Sequence, residues 1–318
     1  MEQQLTRIAV KIGSNVLTRR DGTLDVTRMS ALVDQIAGLH KAGVEIILVS
    51  SGAVASGRSE IHPTKKLDSV DQRQLFSAVG QAKLINRYYE LFREHGIPVG
   101  QVLTMKENFG TRRHYLNQKN CMTVMLENGV IPIVNENDTI SVSELMFTDN
   151  DELSGLIASM MDVQALIILS NIDGIYNGSP ADPASEVIRE IEHGKDLSSY
   201  IQTSKSSFGR GGMLTKTNIA RKVADEGITV IIANGKRDNI LTDILRNEEL
   251  RMKNEELKYT RFIPSPEPVS SVKKWIAHSE GFAKGELHIN ECATKILASD
   301  KAVSILPIGI TDVRGGFE

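Results

Sequence analysis

Short runs of consecutive apolar residues recur along the chain: IAVKI (8–12), VEIILVS (44–50), PVGQVL (98–103), VIPIVN (130–135), ALIILS (165–170) and ITVIIAN (228–234). Each is too short for a core helix and too continuously apolar for a half-exposed antiparallel strand. Parallel strands buried on both faces read this way. Helical stretches fall between them, at Val26–Lys41, Val70–Glu94, Arg112–Glu127, Leu153–Met161 and Leu214–Asp225. The alternation predicts an α/β chain, a three-layer α/β/α sandwich with a mostly parallel central sheet. Right-handed crossovers bring the carboxyl ends of the strands to one edge, where open α/β sheets bind their ligands.

Two breaks interrupt the alternation. From Thr139 to Phe147 polar and apolar residues alternate as in a β-hairpin, between Asn135, Asn137 and Asp138 on one side and Asp149, Asn150 and Asp151 on the other. A projecting hairpin between polar clusters reads as a substrate lid ahead of a structural filler. Further on, Pro264, Pro266 and Pro268 alternate within IPSPEPVSS, which favours an extended, semi-rigid linker. The predicted organisation is a main domain over 1–262, a linker over 263–271 and a small β-rich tail over 272–318. A tail of that size is marginal as an independent domain, so it is either docked on the main body or the front of a longer module.

Composition narrows the function. The 318 residues are 41% hydrophobic and 24% charged, typical of a globular enzyme, and the formal net charge is −3. Such a balance argues against coating nucleic acid or an acidic membrane and favours small ligands. Cys121 and Cys292 belong to no CxxC pair and read as ordinary buried or half-buried thiols. The N-terminal apolar run is broken at once by Lys11, Gly13 and Asn15, unlike a signal peptide, and no stretch approaches the ~20 apolar residues of a membrane span. The expected location is the cytoplasm.

Candidate chemistry sits at the strand ends. Lys11-Ile12-Gly13-Ser14 offers an ammonium and backbone N–H groups to an anion such as a phosphate, unless Lys11 merely snorkels to solvent. Ser50-Ser51-Gly52 can present hydroxyls and close backbone, or form a plain βα turn. Gly209-Arg210-Gly211-Gly212-Met213-Leu214-Thr215-Lys216 opens a helix, where glycines admit a phosphate and the dipole favours negative charge. Lys216 in that first turn calls for an anion beside it. The segment is no P-loop, because Thr215 precedes Lys216, and no dinucleotide fingerprint, because Leu214 replaces the third glycine. Acidic and amide groups gather at Asn135-Glu136-Asn137-Asp138 and Asp149-Asn150-Asp151; one of the latter three is a helix N-cap, not all of them.

Taken in order, VKIGSNVL, the SSGA turn, VNENDT, FTDND and GGMLTK resemble the glutamate 5-kinases of the amino acid kinase superfamily. The match covers residues 8–235, and the tail resembles the start of a PUA domain. The resemblance implies the amino acid kinase fold and transfer of phosphoryl from ATP, with Mg2+ held by ATP and water rather than by protein side chains, to the side-chain carboxylate of L-glutamate. It implies catalytic roles for Lys11, Lys216, Asp149 and Asp151, the aspartates orienting the lysines. Glutamate would be bound by Ser51, Gly52, Asn135, Asp138 and Asn150, with Asp138 meeting the α-ammonium. ATP would be bound by Lys11, Gly13, Ser170, Asn171, Arg210, Gly211, Gly212, Met213, Leu214, Thr215 and Lys216. A homodimer or homotetramer and feedback inhibition by proline also follow from the family.

Two departures stand out. Ser170-Asn171 replaces the family's usual Thr-Asp, removing a carboxylate from the nucleotide side, and Arg210 stands where a small residue is usual. The rival readings are another carboxylate kinase, for acetylglutamate or aspartate, and an RNA-binding protein acting through the tail. The tail carries six basic and six acidic residues from 269 to 318, so it lacks the basic face that RNA binding wants.

Overall fold

The computed structural model describes residues 5–141, 147, 149–193, 212–250, 257–267, 269–278, 285–298 and 303–316. The six apolar runs become β1 (Arg7–Ile12), β2 (Glu45–Ser50), β3 (Val99–Thr104), β4 (Ile131–Glu136), β5 (Ala165–Ser170) and β7 (Thr229–Asn234). The short β6 (Glu190–Ile191) and β8 (Tyr259–Phe262) complete an eight-stranded sheet in the order β3-β4-β2-β1-β5-β7-β8-β6. The six long strands are mutually parallel; β8 runs antiparallel to β7 and parallel to β6. Neither β6 nor β8 carries a continuous apolar run, which is why the apolar pattern passes over them.

Alternation along the strands divides the core in two. Ile8, Val10 and Ile12 face α2 (Val26–Lys41), α4 (Ser69–Glu94) and α9 (Ile240–Leu250), whereas Ala9 faces α6 (Arg112–Glu127), α7 (Asn150–Met160) and α8 (Met213–Asp225). By the same alternation Lys11 belongs to the second face, which places a cation among α7 and α8. Helix starts are set by caps. The Asp68 side chain accepts from the N–H groups of Val70 and Asp71 and starts α4, and Asp149 starts α7 three residues earlier than periodicity predicts.

Helix α4 is held against the short α3 (Ala53–Arg58) by two glycines. A Cβ on Gly80 would stand 1.8 Å from the Ala53 carbonyl oxygen, and one on Gly57 1.8 Å from that of Phe76. The backbones touch, and no side chain can yield. Gly80→Ala is therefore expected to lower stability in urea unfolding by about 3 kcal/mol, the upper end of overpacking. Gly38→Ala, in α2 with nothing within 4 Å of the added Cβ, should stabilise slightly, by up to about 1 kcal/mol.

The proline-rich stretch leads into α10 (Ser271–Ala277), which packs on the main body. Trp275 Nε1 donates to the Phe109 carbonyl at 2.9 Å, Lys274 Nζ to Asp162 at 3.0 Å, and the Arg112 guanidinium lies 5.5 Å from the Trp275 ring centroid. Beyond it β9 (Gly285–Ile289) and β10 (Ile310–Gly315) pair antiparallel, with α11 (Glu291–Leu297) between them in sequence. Both cysteines are exposed, contrary to expectation. Cys121 precedes the buried Met122 on α6 and falls on the helix's outer side, and Cys292 lies in the first turn of α11, where no residue is buried. Among the described residues no helix is long and apolar enough to cross a membrane.

Candidate active site

Three of the predicted residues meet at the carboxyl edge of the sheet. Lys11, next to last in β1, has only 5% of its surface exposed, so it does not snorkel. Its Nζ lies 2.5 Å from Asp151 Oδ1, and Lys216 Nζ lies 2.8 Å from Asp151 Oδ2. One buried carboxylate thus bridges two ammonium groups that are far apart in the chain. Burial pushes the Asp151 carboxyl up, but Lys11 and Lys216 outweigh it and hold it below its ordinary value. The anion that Lys216 calls for at its helix start is, within the protein itself, Asp151.

This arrangement follows from how α7 and α8 pack. A Cβ on Gly155 would come within 2.7 Å of Ile219 Cγ2 and 3.1 Å of Val223 Cγ2, so the glycine lets the helices approach closely. Asp151, Gly155 and Ser159 are spaced four apart on one side of α7 and meet Lys216, Ile219 with Val223, and Glu226 respectively. Glu226 also pairs with His278, just past α10, at 2.6 Å. The helix pair is therefore tied at both ends, its catalytic end by Asp151 and Lys216.

Asp149 plays a different part from Asp151. Its Oδ1 accepts from the N–H groups of Asp151 and Glu152 at 2.9 and 3.0 Å, making it the N-cap of α7. Its Oδ2 is buried without a hydrogen-bond partner. Burial, and then the neighbouring Asp151, push the Asp149 carboxyl up against the pull of the Glu152 N–H and the two lysines. Gly13 lies beside Lys11; its N–H donates to the Leu169 carbonyl at 3.0 Å, and an added Cβ would be 3.1 Å from that oxygen.

A second group forms around Asn150. Its Nδ2 lies 3.0 Å from the Ser50 carbonyl oxygen, 2.9 Å from Ser51 Oγ and 2.9 Å from Asn135 Oδ1. Asn135 Nδ2 in turn donates to Gln81 Oε1 at 2.8 Å, and Ser50 Oγ shares a 2.8 Å hydrogen bond with Tyr88. Gly52 adopts φ +106° as the N-cap of α3, a conformation that favours glycine. Asp138 stands apart from this group, paired with Arg73 of α4 beside Glu136. Gln81, Tyr88 and Arg73 escaped the sequence reading. Their helix was predicted at Val70–Glu94, and the signal in it that points to close packing is Gly80 inside the long helical run, where glycine costs about 1 kcal/mol and needs a close approach to explain it.

The nucleotide-side residues are distributed along the same edge. Ser170 ends β5 and its carbonyl accepts from the Gly235 N–H at 2.8 Å, with Asn171 next in the chain. Asp173 receives Arg237 Nε and Nη2 at 2.7 Å each, which hold it below its ordinary value, and Asn234 at 3.0 Å. Gly212 is the N-cap of α8; Met213 packs on the second core, Thr215 is half-buried and Leu214 is exposed. Arg210, Gly211 and most of the lid hairpin, residues 142–146 and 148, lie outside the described residues; Phe147 is buried edge-on against Phe109.

Comparison with known proteins accords with this edge. Residues 6–234 match the model of the amino acid kinase family. The chain is 85% identical over 318 residues to the glutamate 5-kinase of Bacteroides thetaiotaomicron, covering all of this chain and 87% of that protein. It is 48% identical to the glutamate 5-kinase of Chlorobaculum tepidum, over 98% of this chain and 84% of that one. Among solved structures, the isopentenyl phosphate kinase of T. acidophilum superposes with a TM-score of 0.55 at 15% identity, over 81% of this chain and all of that one. UMP kinase of Ureaplasma parvum does so with 0.52 at 16%, over 82% of this chain and all of that one. At those identities the likeness concerns the fold, a parallel α/β/α sandwich. Match and geometry together show that the chain belongs to the amino acid kinase family and, within it, to the glutamate 5-kinases.

Proposed function

We propose that the protein transfers the γ-phosphoryl group of ATP to the side-chain carboxylate of L-glutamate, giving L-glutamyl 5-phosphate, the first step of proline biosynthesis. The observation that carries the mechanism is the buried Lys11–Asp151–Lys216 bridge. A glutamate side chain has an ordinary pKa of about 4.3 and is ionised at neutral pH, so the nucleophile needs no base. The task is to bring two anions together and neutralise the charge spread over the transferring group. The two ammonium groups and one carboxylate of the bridge carry one net positive charge between them. Lys11 serves the attacking side and Lys216 the leaving side, while Asp151 fixes both long side chains so that no ordering remains to be done in the transition state.

In this reading Ser51, Asn135 and Asn150 receive the glutamate α-carboxylate, Asp138 its α-ammonium, and Gly52 lies in the same substrate-binding group. Gly13, Ser170, Asn171 and residues 210–216 receive the nucleotide. A magnesium ion bound through ATP needs no protein cage. Asp149 Oδ2, buried and unpartnered, is the protein oxygen that suits its hydration shell. When bound, the ion neutralises phosphate charge. The same reading assigns 1–262 to the kinase unit, 263–271 to a linker and 272–318 to a PUA-like module. It makes the enzyme a cytoplasmic homo-oligomer inhibited by proline.

The test is ADP formation with glutamate, N-acetylglutamate and aspartate in parallel, the acyl phosphate being trapped with hydroxylamine. Glutamate alone should support turnover. Turnover only with either of the others would overturn the assignment.

A further inference from the structure

Asp138, the residue assigned to the substrate's ammonium, already has a cationic partner. Arg73, in the second turn of α4, donates from Nε to Asp138 Oδ1 at 2.7 Å and from Nη2 to Glu136 Oε2 at 2.7 Å; Nη2 also contacts Asp138 Oδ1. Both carboxylates are nearly enclosed, Glu136 with 3% and Asp138 with 9% of the side chain exposed. Burial, and then Asp138, push the Glu136 carboxyl up, opposed by the Phe147 N–H at 3.0 Å, by Arg73 and by Ser141. Two neighbouring buried carboxylates repel, and one planar guanidinium spans both, which a point-charge ammonium cannot do.

Helix α4 fixes that guanidinium. Gly80 holds the helix against α3, Gln81 reaches Asn135, and Gln74 Nε2 donates to the Thr139 carbonyl at 2.8 Å. Asp138 itself lies in a turn just after β4, where Ile140 and Ser141 donate their N–H groups back to the Asn137 carbonyl. Nothing in a turn of that kind holds a side chain against a like charge, and Arg73 supplies the hold. The three groups together carry one net negative charge, the complement of one ammonium. Glu136 and Asp138, the two carboxylates that Arg73 holds, line an open groove of about 620 Å³ along α4 and β3, whose wall also includes Ser77 and Gln81.

We propose that Arg73 is a positioning residue for amine recognition: by clasping Glu136 and Asp138 in one fork it holds Asp138 where the substrate's α-ammonium binds. The proposal rests on the assignment of glutamate as substrate. Arg73 pairs with the amine-side carboxylates and is no member of the Lys11–Asp151–Lys216 bridge, so its effect falls on substrate affinity and on the choice between amino and non-amino acids.

The experiment compares wild type, Arg73→Met and Arg73→Lys with glutamate and with glutarate, which lacks the amine. Glutarate serves as substrate or, if turned over too slowly, as competitive inhibitor. Arg73→Met should raise the KM for glutamate about tenfold or more, the loss of a charged hydrogen bond, with kcat within about threefold and the KM for ATP unchanged. Binding of glutarate should change little, so the preference for glutamate collapses. Arg73→Lys should restore part of it. An unchanged glutamate KM in a folded Arg73→Met enzyme overturns the role, as does an equal loss with glutarate, which would mark a purely structural residue. If Arg73→Met does not fold, Arg73→Lys carries the test alone, and an unaltered glutamate preference in it overturns the role. A wild type without glutamate-dependent ADP formation would instead sink the substrate assignment, and the Arg73 role with it.

Discussion

Replacing Lys216 with alanine is expected to lower turnover by about a hundredfold or more, the usual result of removing a preorganised charge donor from a transition state. The ammonium is held by a carboxylate that is 1% exposed, at the start of α8, where the helix dipole adds to its field. The loss should appear in kcat, because charge on the transferring group is redistributed only as the bond breaks. Lys216→Arg should not restore it: a planar guanidinium cannot occupy the site of a compact ammonium packed against Asp151. Circular dichroism establishes that the variants are folded, and steady-state ADP release gives the rate. Turnover equal to wild type in a folded Lys216→Ala enzyme would overturn the two-lysine mechanism.

Asp151→Asn should be more damaging still, since it strikes activity and stability together. The amide keeps the shape and removes the charge, leaving two ammonium groups facing each other at the end of a buried strand. Breaking a buried pair by removing one partner costs about 3–5 kcal/mol, and urea unfolding at pH 7 should show a loss of that order. The pH dependence has a definite sign. Asp151 is held below its ordinary value in the folded protein. Its contribution is therefore complete above the unfolded pKa of about 3.9 and fades as pH falls through the lower native value. The gap between wild type and Asp151→Asn should close in that acid range and stay constant from about pH 5 to 8. Asp149 has the opposite sign. Its carboxyl is pushed up by burial, so its protonation relieves the folded state as pH falls through that raised value. A gap that widened in acid would exclude Asp151 as the ionised bridge.

Much of the architecture was legible along the chain. A strand buried on both faces has no polar face to show, so β1, β2, β4, β5 and β7 declared themselves as continuous Val and Ile runs. Helices α2 and α6 begin and end where the pattern places them, because their caps, Asp25 and Thr111, sit at the ends of the periodic stretch. The early start of α7 was hidden for a related reason. Asn150 and Asp151 look like loop residues until Asp149 is seen to cap the N–H groups of Asp151 and Glu152.

The site divides along the same line. Lys11, Asp151 and Lys216 stood out locally, each at a strand end or helix start, where backbone geometry is set by near neighbours, and the family resemblance gave them their roles. Their union in one bridge is another matter. It depends on Lys11 sharing the face of Ala9, on Gly155 drawing α7 against α8, and on parallel pairing that brings β1, β2 and β5 to one edge. Arg73 carries no motif at all: an arginine on a helix is ordinarily a solvated charge, and its meaning comes from Glu136 and Asp138 lying across the fold from it. Composition and spacing were thus enough to specify the class of fold, the strand ends that carry the chemistry and the kinds of group found there. Which of those groups share a proton field, and which distant cation completes them, was settled by packing, because electrostatic pairing acts through space at a few ångströms and leaves no period in the chain.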